Sequence, residues 1–219
     1  MGKLRRNWCA IALIATIGAL AACSPATSRA TANTPQTRTF SADIEASVPY
    51  VAAAKKCVTS NSYAKPGAIN FRGLLLATYG VNVGGKPVYT GISRACDGTL
   101  SEHNEGRALD WGMDYRVAAM RTDGNTVLKW LFATDSFGNT FAMAKRLGIM
   151  YVIWNKQIYG SWNGYQAKPY ACGPGTDPTA CHVDHLHFSF SWPGAKAQTS
   201  FFTGRVLADA GSTLAQPTR

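Results

Sequence analysis

The sequence predicts an α+β domain, and three observations predict it. Apolar residues recur at helical spacing in the middle of the chain, at Val127, Leu128, Leu131, Phe141, Ala144 and Leu147. Near the C-terminus, Asp184 to Trp192 alternates polar and apolar residues with the period of a strand. Helices and strands follow one another without a regular βαβ rhythm, which argues against a parallel sheet.

The elements follow in order. Ala42 to Cys57 reads as a short helix, and Ala68 to Tyr79 as a second that ends near Gly80. Pro87 to Ser93 and Arg107 to Tyr115 read as strands. The periodic tract Asn125 to Leu147 is a helix that Gly138 interrupts. Ile149 to Trp154 and Gln157 to Trp162 form two strands joined by a turn at Asn155-Lys156, and Asp184 to Trp192 is the clearest strand of all. Among the aromatic residues, Trp130 suits the core, and Trp154 and Trp192 could line a groove. Tyr159, Trp162 and Tyr165 are better placed for the mouth of a cleft.

The ends of the 219-residue chain have a different composition. Lys3, Arg5 and Arg6 precede an apolar run from Ala10 to Ala22, the pattern of an export signal. That run falls short of the about 20 apolar residues that span a bilayer. Leu20-Ala21-Ala22-Cys23 resembles a bacterial lipobox, which implies cleavage before Cys23, lipidation of its thiol and an anchor in a membrane. The expected organisation is a lipoprotein signal peptide over 1–22, a flexible tether over 23–40, a domain over 41–210 and a flexible tail over 211–219. The chain would then sit outside the cell, on the outer face of the membrane and facing the cell wall.

Cysteine usage agrees with export. Cys9 leaves with the leader and Cys23 carries lipid, so Cys57, Cys96, Cys172 and Cys181 remain, an even number suited to an oxidising compartment. The favoured pairs are Cys57–Cys96 and Cys172–Cys181, the latter closing a short Gly/Pro loop. A zinc site made of all four lacks the usual CxxC spacing. The formal charge is +10. Outside a cell, such a surface suits anionic wall polymers or phospholipid headgroups. The basic residues are scattered rather than clustered, which argues against nucleic acid as a partner. A monomer is expected.

All four histidines lie in two short stretches, Ser101 to Asp110 and His182 to Phe188. Imidazole and carboxylate are the ligands that zinc takes in catalytic sites, with one position left open. His103 and Asp110 cannot both reach one ion from a single helix, because seven residues rise roughly 10 Å. A turn at Gly106 into a strand near Asp110 fits better. His185 and His187, two apart, share one strand face, and Leu186, Phe188 and Phe190 share the other. These patterns leave two ligand sets open: His185 with His187 and one distant group, or His103, Asp110 and His187.

SxHxxGxAxD at Ser101, His103, Gly106, Ala108 and Asp110, with DHxH from Asp184 to His187, resembles the zinc D-Ala-D-Ala carboxypeptidases and related peptidoglycan endopeptidases. The likeness runs from Val88 to Ser191 and implies a hedgehog/DD-peptidase-like fold, a central antiparallel sheet with flanking helices. It implies Zn2+ on His103, Asp110 and His187, Asp184 as general base, and His185 on the reacting group. Many relatives carry Glu where this chain has Asp184. The resemblance also implies an upstream arginine for a substrate carboxylate or the oxyanion. Arg94 holds that position, with Arg72 and Arg107 as alternatives. The function implied is zinc-dependent hydrolysis of peptide bonds in peptidoglycan stem peptides or cross-links, by carboxypeptidase or endopeptidase action. The alternative is a non-catalytic lipoprotein that binds the cell wall and is stabilised by zinc.

Overall fold

The computed structural model describes residues 34–35, 39–54, 63–96 and 98–206. The chain divides between Ala30 and Thr31, and every described residue belongs to the second unit, Thr31–Arg219. The leader, Cys23, Cys57 and the tail beyond 206 lie outside the described residues. Among the described residues, no helix is long and apolar enough to cross a membrane.

Helix α1 (Pro66–Tyr79) starts where Pro66 follows an extended Lys65, and it stops at Gly80, whose N–H donates to the Leu76 carbonyl. Its buried face presents Phe71 edge-on to Phe188 and Phe190, with ring centroids 5.1 and 5.9 Å away. β1 (Asn82–Val83) and β2 (Lys86–Pro87) form a small hairpin. β3 (Thr90–Gly91) and β4 (Ala108–Trp111) then enter the main sheet. The predicted long helix is two: α2 (Ala118–Phe132) and α3 (Ala142–Leu147). Between them Gly138 has a positive φ, and the Asp135 carboxylate accepts from the N–H groups of Phe137 and Asn139. The interruption falls where the sequence predicts it.

β5 (Ile149–Trp154) and β6 (Gln157–Gly160) form a hairpin whose turn residues, Asn155 and Lys156, both have positive φ, as a two-residue turn of this hand requires. β7 (Ala167–Pro169), β8 (Leu186–Phe190), α4 (Trp192–Ala195) and α5 (Ser200–Thr203) complete the described elements. The result is an α+β domain with a six-stranded antiparallel sheet, in the order β3-β4-β8-β5-β6-β7, packed against several helices.

β8, the last strand among the described residues, is central, between β4 and β5. One of its faces carries Leu186, Phe188 and Phe190 into the main core with Phe71, Leu109 and Trp111. The opposite face carries His187 and Ser189, which are also buried.

Residues 42–54 form no helix, contrary to the sequence expectation. They run as a strap across the domain. Two buried guanidiniums hold carbonyl groups that a helix would need for its own bonds. Arg146 donates to the carbonyls of Asp43 and Ser41, and Arg107 to that of Val51. The Glu45 carboxylate accepts from the N–H and hydroxyl of Ser200, and Pro49 interrupts any helical ladder. Val48 packs with Met150, Tyr151 and Ile153 in a second small core. Tertiary bonds thus win over local propensity.

Candidate metal centre

His103 comes from a 3-10 turn, Glu102–Glu105, which Ser101 caps by accepting from the His103 N–H. The turn ends at Gly106, in the left-handed region with φ 70°. A side chain there would also collide with the Tyr63 backbone carbonyl, so glycine is required on two counts. The chain then enters β4, where Asp110 pairs in register with His187 on β8. Turn and strand together bring His103 back over Asp110.

The three side chains converge. His103 Nε2 lies 3.1 Å from Asp110 Oδ1, and His187 Nδ1 lies 2.9 Å from the same oxygen. The two imidazole nitrogens are 3.2 Å apart. In a tetrahedron with zinc–ligand bonds of 2.0–2.1 Å, neighbouring ligand atoms lie about 3.3 Å apart, so this spacing matches. The far sides of the rings fix which nitrogens face inward. His103 Nδ1 donates to the Ile92 carbonyl at 2.7 Å, which leaves Nε2 as the inward acceptor. His187 Nε2 lies 2.8 Å from the Ser189 hydroxyl and donates there when Nδ1 is a ligand.

Electrostatics keep Asp110 and His187 in ligand form. Burial would raise the Asp110 carboxyl, but hydrogen bonds with His103 and His187 hold it far below the usual carboxylate range. Burial also pushes the His187 imidazole down, so it stays neutral near pH 7. One carboxylate and two imidazoles therefore offer three lone pairs to one point. His103, Asp110 and His187 could hold a metal ion. Of the two ligand sets open in the sequence, this is the one the fold assembles.

His185 stands just outside the triad. Its Nε2 is 3.5 Å from Asp110 Oδ1, and its Nδ1 is 2.8 Å from Asp184 Oδ1. The other Asp184 oxygen accepts from the Thr179 hydroxyl at 2.6 Å. Burial would raise the Asp184 carboxyl, but these bonds to Thr179 and His185 lower it. Asp184 thus lies behind His185, and His185 faces the centre.

The triad opens into a cleft of 540 Å³. Arg94 is on its wall, with Nη2 bonded to Thr99 Oγ1 and Nε to Asn104 Oδ1. Arg107 is fully buried on Glu105, Phe190 and Val51, and neither it nor Arg72 lines the cleft. The opposite wall includes Asp177, Thr179 and Ala180, from the loop closed by the expected Cys172–Cys181 disulfide, with Cα atoms 5.4 Å apart. Cys96 is also disulfide-bonded, and its expected partner Cys57 lies outside the described residues.

Three cleft residues have no role in the sequence analysis. His182 has φ 51° and a ring 4.8 Å from that of His185, and burial pushes its imidazole down to about 3. Its spacing from His185 and His187 was a signal for it. Tyr151 stacks on His187 with centroids 5.7 Å apart and donates to Glu102 Oε2 at 2.8 Å. Neither Tyr151 nor Glu102 has a sequence signal without the strand pairing. Two aromatic residues expected at the cleft are core instead. Trp154 is buried with its indole N–H on the Met113 carbonyl, and Tyr165 is buried with its hydroxyl on the Ile149 carbonyl.

No curated protein and no solved structure matches the chain. A family model does match, described as VldE, C-terminal domain, over residues 60–183. The matched span contains His103 and Asp110 and stops just short of Asp184, His185 and His187. The chain therefore belongs to the VldE C-terminal domain family.

Proposed function

We propose that this chain is a zinc-dependent peptidase that hydrolyses peptide bonds in peptidoglycan stem peptides or cross-links. The observation that carries the reading is the convergence of His103 Nε2, Asp110 Oδ1 and His187 Nδ1 in an open cleft, with His185 beside them. A site built only for stability has no need of an open cleft or of a fourth group, a carboxylate-backed histidine.

His103, Asp110 and His187 would hold the ion. A bound divalent cation supplies a Lewis acid that polarises the scissile carbonyl and makes water more acidic. The chain's own groups do the rest. His185 Nε2 faces the centre and moves the proton between water and the leaving amine. Asp184 accepts from His185 Nδ1, which fixes the ring and leaves Nε2 towards the centre. The resemblance gave Asp184 the general base alone. With its oxygens on His185 and Thr179, the carboxylate is better suited to act through His185. Arg94 offers a guanidinium to a substrate carboxylate at the cleft wall. The basic chain and its Cys172–Cys181 disulfide suit an exported, lipid-anchored enzyme that meets the anionic wall.

Mass spectrometry of defined peptidoglycan fragments, after incubation with the protein, tests the reading. Cleavage at one type of peptide bond that the Asp184→Ala variant fails to make supports it. Intact fragments after prolonged incubation with zinc-loaded, folded protein would overturn it.

A further inference from the structure

Beside the cleft, two large aromatic side chains remain half exposed. Trp162 lies in the short 3-10 turn Ser161–Asn163 that follows β6. A side chain on Gly160 would run into the Trp162 ring, so one indole face rests on the Gly160 backbone. Trp162 is nevertheless 54% exposed. Tyr50 arrives on the strap, its ring 5.3 Å from the indole at 74°, and it is 53% exposed. By contrast, Trp154 and Tyr165 of the same region are 2% and 5% exposed. Packing into the core therefore explains those two and leaves Trp162 and Tyr50 unexplained.

The pair is continuous with the metal centre. Tyr151 lies 6.2 Å from the Tyr50 ring and 6.0 Å from the Trp162 ring. The same Tyr151 lines the cleft and stacks on His187. An aromatic tract thus runs from the ligand histidine, through Tyr151, to an open indole surface supported from below by a glycine.

We propose that Trp162 and Tyr50 form a subsite for a sugar ring of the substrate. A pyranose has one face of C–H groups and a rim of hydroxyls. An open, flat indole suits the first, and an exposed tyrosine hydroxyl in water suits the second. An apolar peptide side chain would instead need a closed pocket to lose its water. The inference rests on the peptidase reading, in which the stem peptide hangs from an amino sugar. With the scissile bond at His185, Tyr151 is the surface that joins the cleft to the platform such a sugar would use.

The test uses the full chain and two ligands with the same stem peptide, one carrying its disaccharide and one without sugar. Binding is measured by calorimetry and turnover by product analysis, for wild type, Trp162→Ala, Trp162→Phe and Tyr50→Ala. The wild type should bind the sugar-bearing ligand about tenfold more tightly than the bare peptide, a difference of about 1.4 kcal/mol. Trp162→Ala should abolish that preference, Tyr50→Ala should reduce it and Trp162→Phe should keep part of it. Turnover of the bare peptide should fall less in each variant than turnover of the sugar-bearing ligand. Equal affinity of the wild type for both ligands would overturn the subsite, as would an equal loss for both in Trp162→Ala. A sugar preference that depends on Trp162, without cleavage of either ligand, would support the subsite while refuting the peptidase reading.

Discussion

Asp110 and His187 stand opposite one another in the β4–β8 register, and the Asp110 Oδ1 to His187 Nδ1 distance is 2.9 Å. The two ligands come from strands far apart in sequence, and their meeting depends on β8 entering the middle of the sheet. His187→Ala or Asp110→Asn should therefore remove a ligand without removing a strand. Each variant should lose metal binding by at least about 100-fold and keep its fold. Elemental analysis of the purified protein beside circular dichroism checks both halves.

Ser189 is not one of the three converging groups, yet its hydroxyl fixes which His187 nitrogen points inward. Ser189→Ala should lower metal affinity by about 10–100-fold, the usual cost of losing an outer partner of a ligand histidine. Competition with a chromophoric chelator measures it. An unchanged affinity would mean that the tautomer is set elsewhere.

Thr179 bonds Asp184, and Asp184 in turn bonds His185, which faces the centre. Asp184→Ala should keep its metal and lose turnover by about 100-fold or more. Thr179→Val should show a smaller loss of the same kind, with Thr179→Ser restoring it. Metal content measured beside kcat separates this from simple damage to the ligand set.

Metal retention should have a characteristic pH dependence. Ligand histidines must be neutral, so acidification releases the metal. Burial holds the His187 pKa below the ordinary imidazole value of about 6.5, so protonation of this ligand begins at lower pH than in an exposed histidine. Metal content after dialysis at a series of pH values should thus fall on acidification, with the step due to His187 below the ordinary imidazole range. Release that tracks an exposed histidine would contradict the burial argument.

Arg107 is fully buried and bonds Glu105, the Phe190 carbonyl and the Val51 carbonyl. Arg107→Ala would leave those groups without their cation, at a cost of about 3–5 kcal/mol. Urea denaturation should show the loss, and limited proteolysis should cut the strap first.

Much of the site was legible in the chain because local geometry fixes it. The alternation of β8 separates His187 from Phe188, and Gly106 allows the turn that returns His103 to Asp110. The strap was not legible. Its carbonyls bond Arg146 and Arg107, residues far along the chain, and no local pattern records such partners. Tyr165 has the same lesson: an aromatic residue next to glycines looked like a cleft rim, but its hydroxyl finds the Ile149 carbonyl and the ring is buried. Tyr151 became visible only when the sheet order set it against His187.

Activity against metal occupancy tests the central claim most directly. The protein would be stripped with a chelator and titrated with zinc while cleavage of a peptidoglycan stem peptide is followed. The stripped protein should cleave nothing, recover fully at one zinc per chain, and fail to recover in His187→Ala. Cleavage that persists in the metal-free protein would contradict the claim.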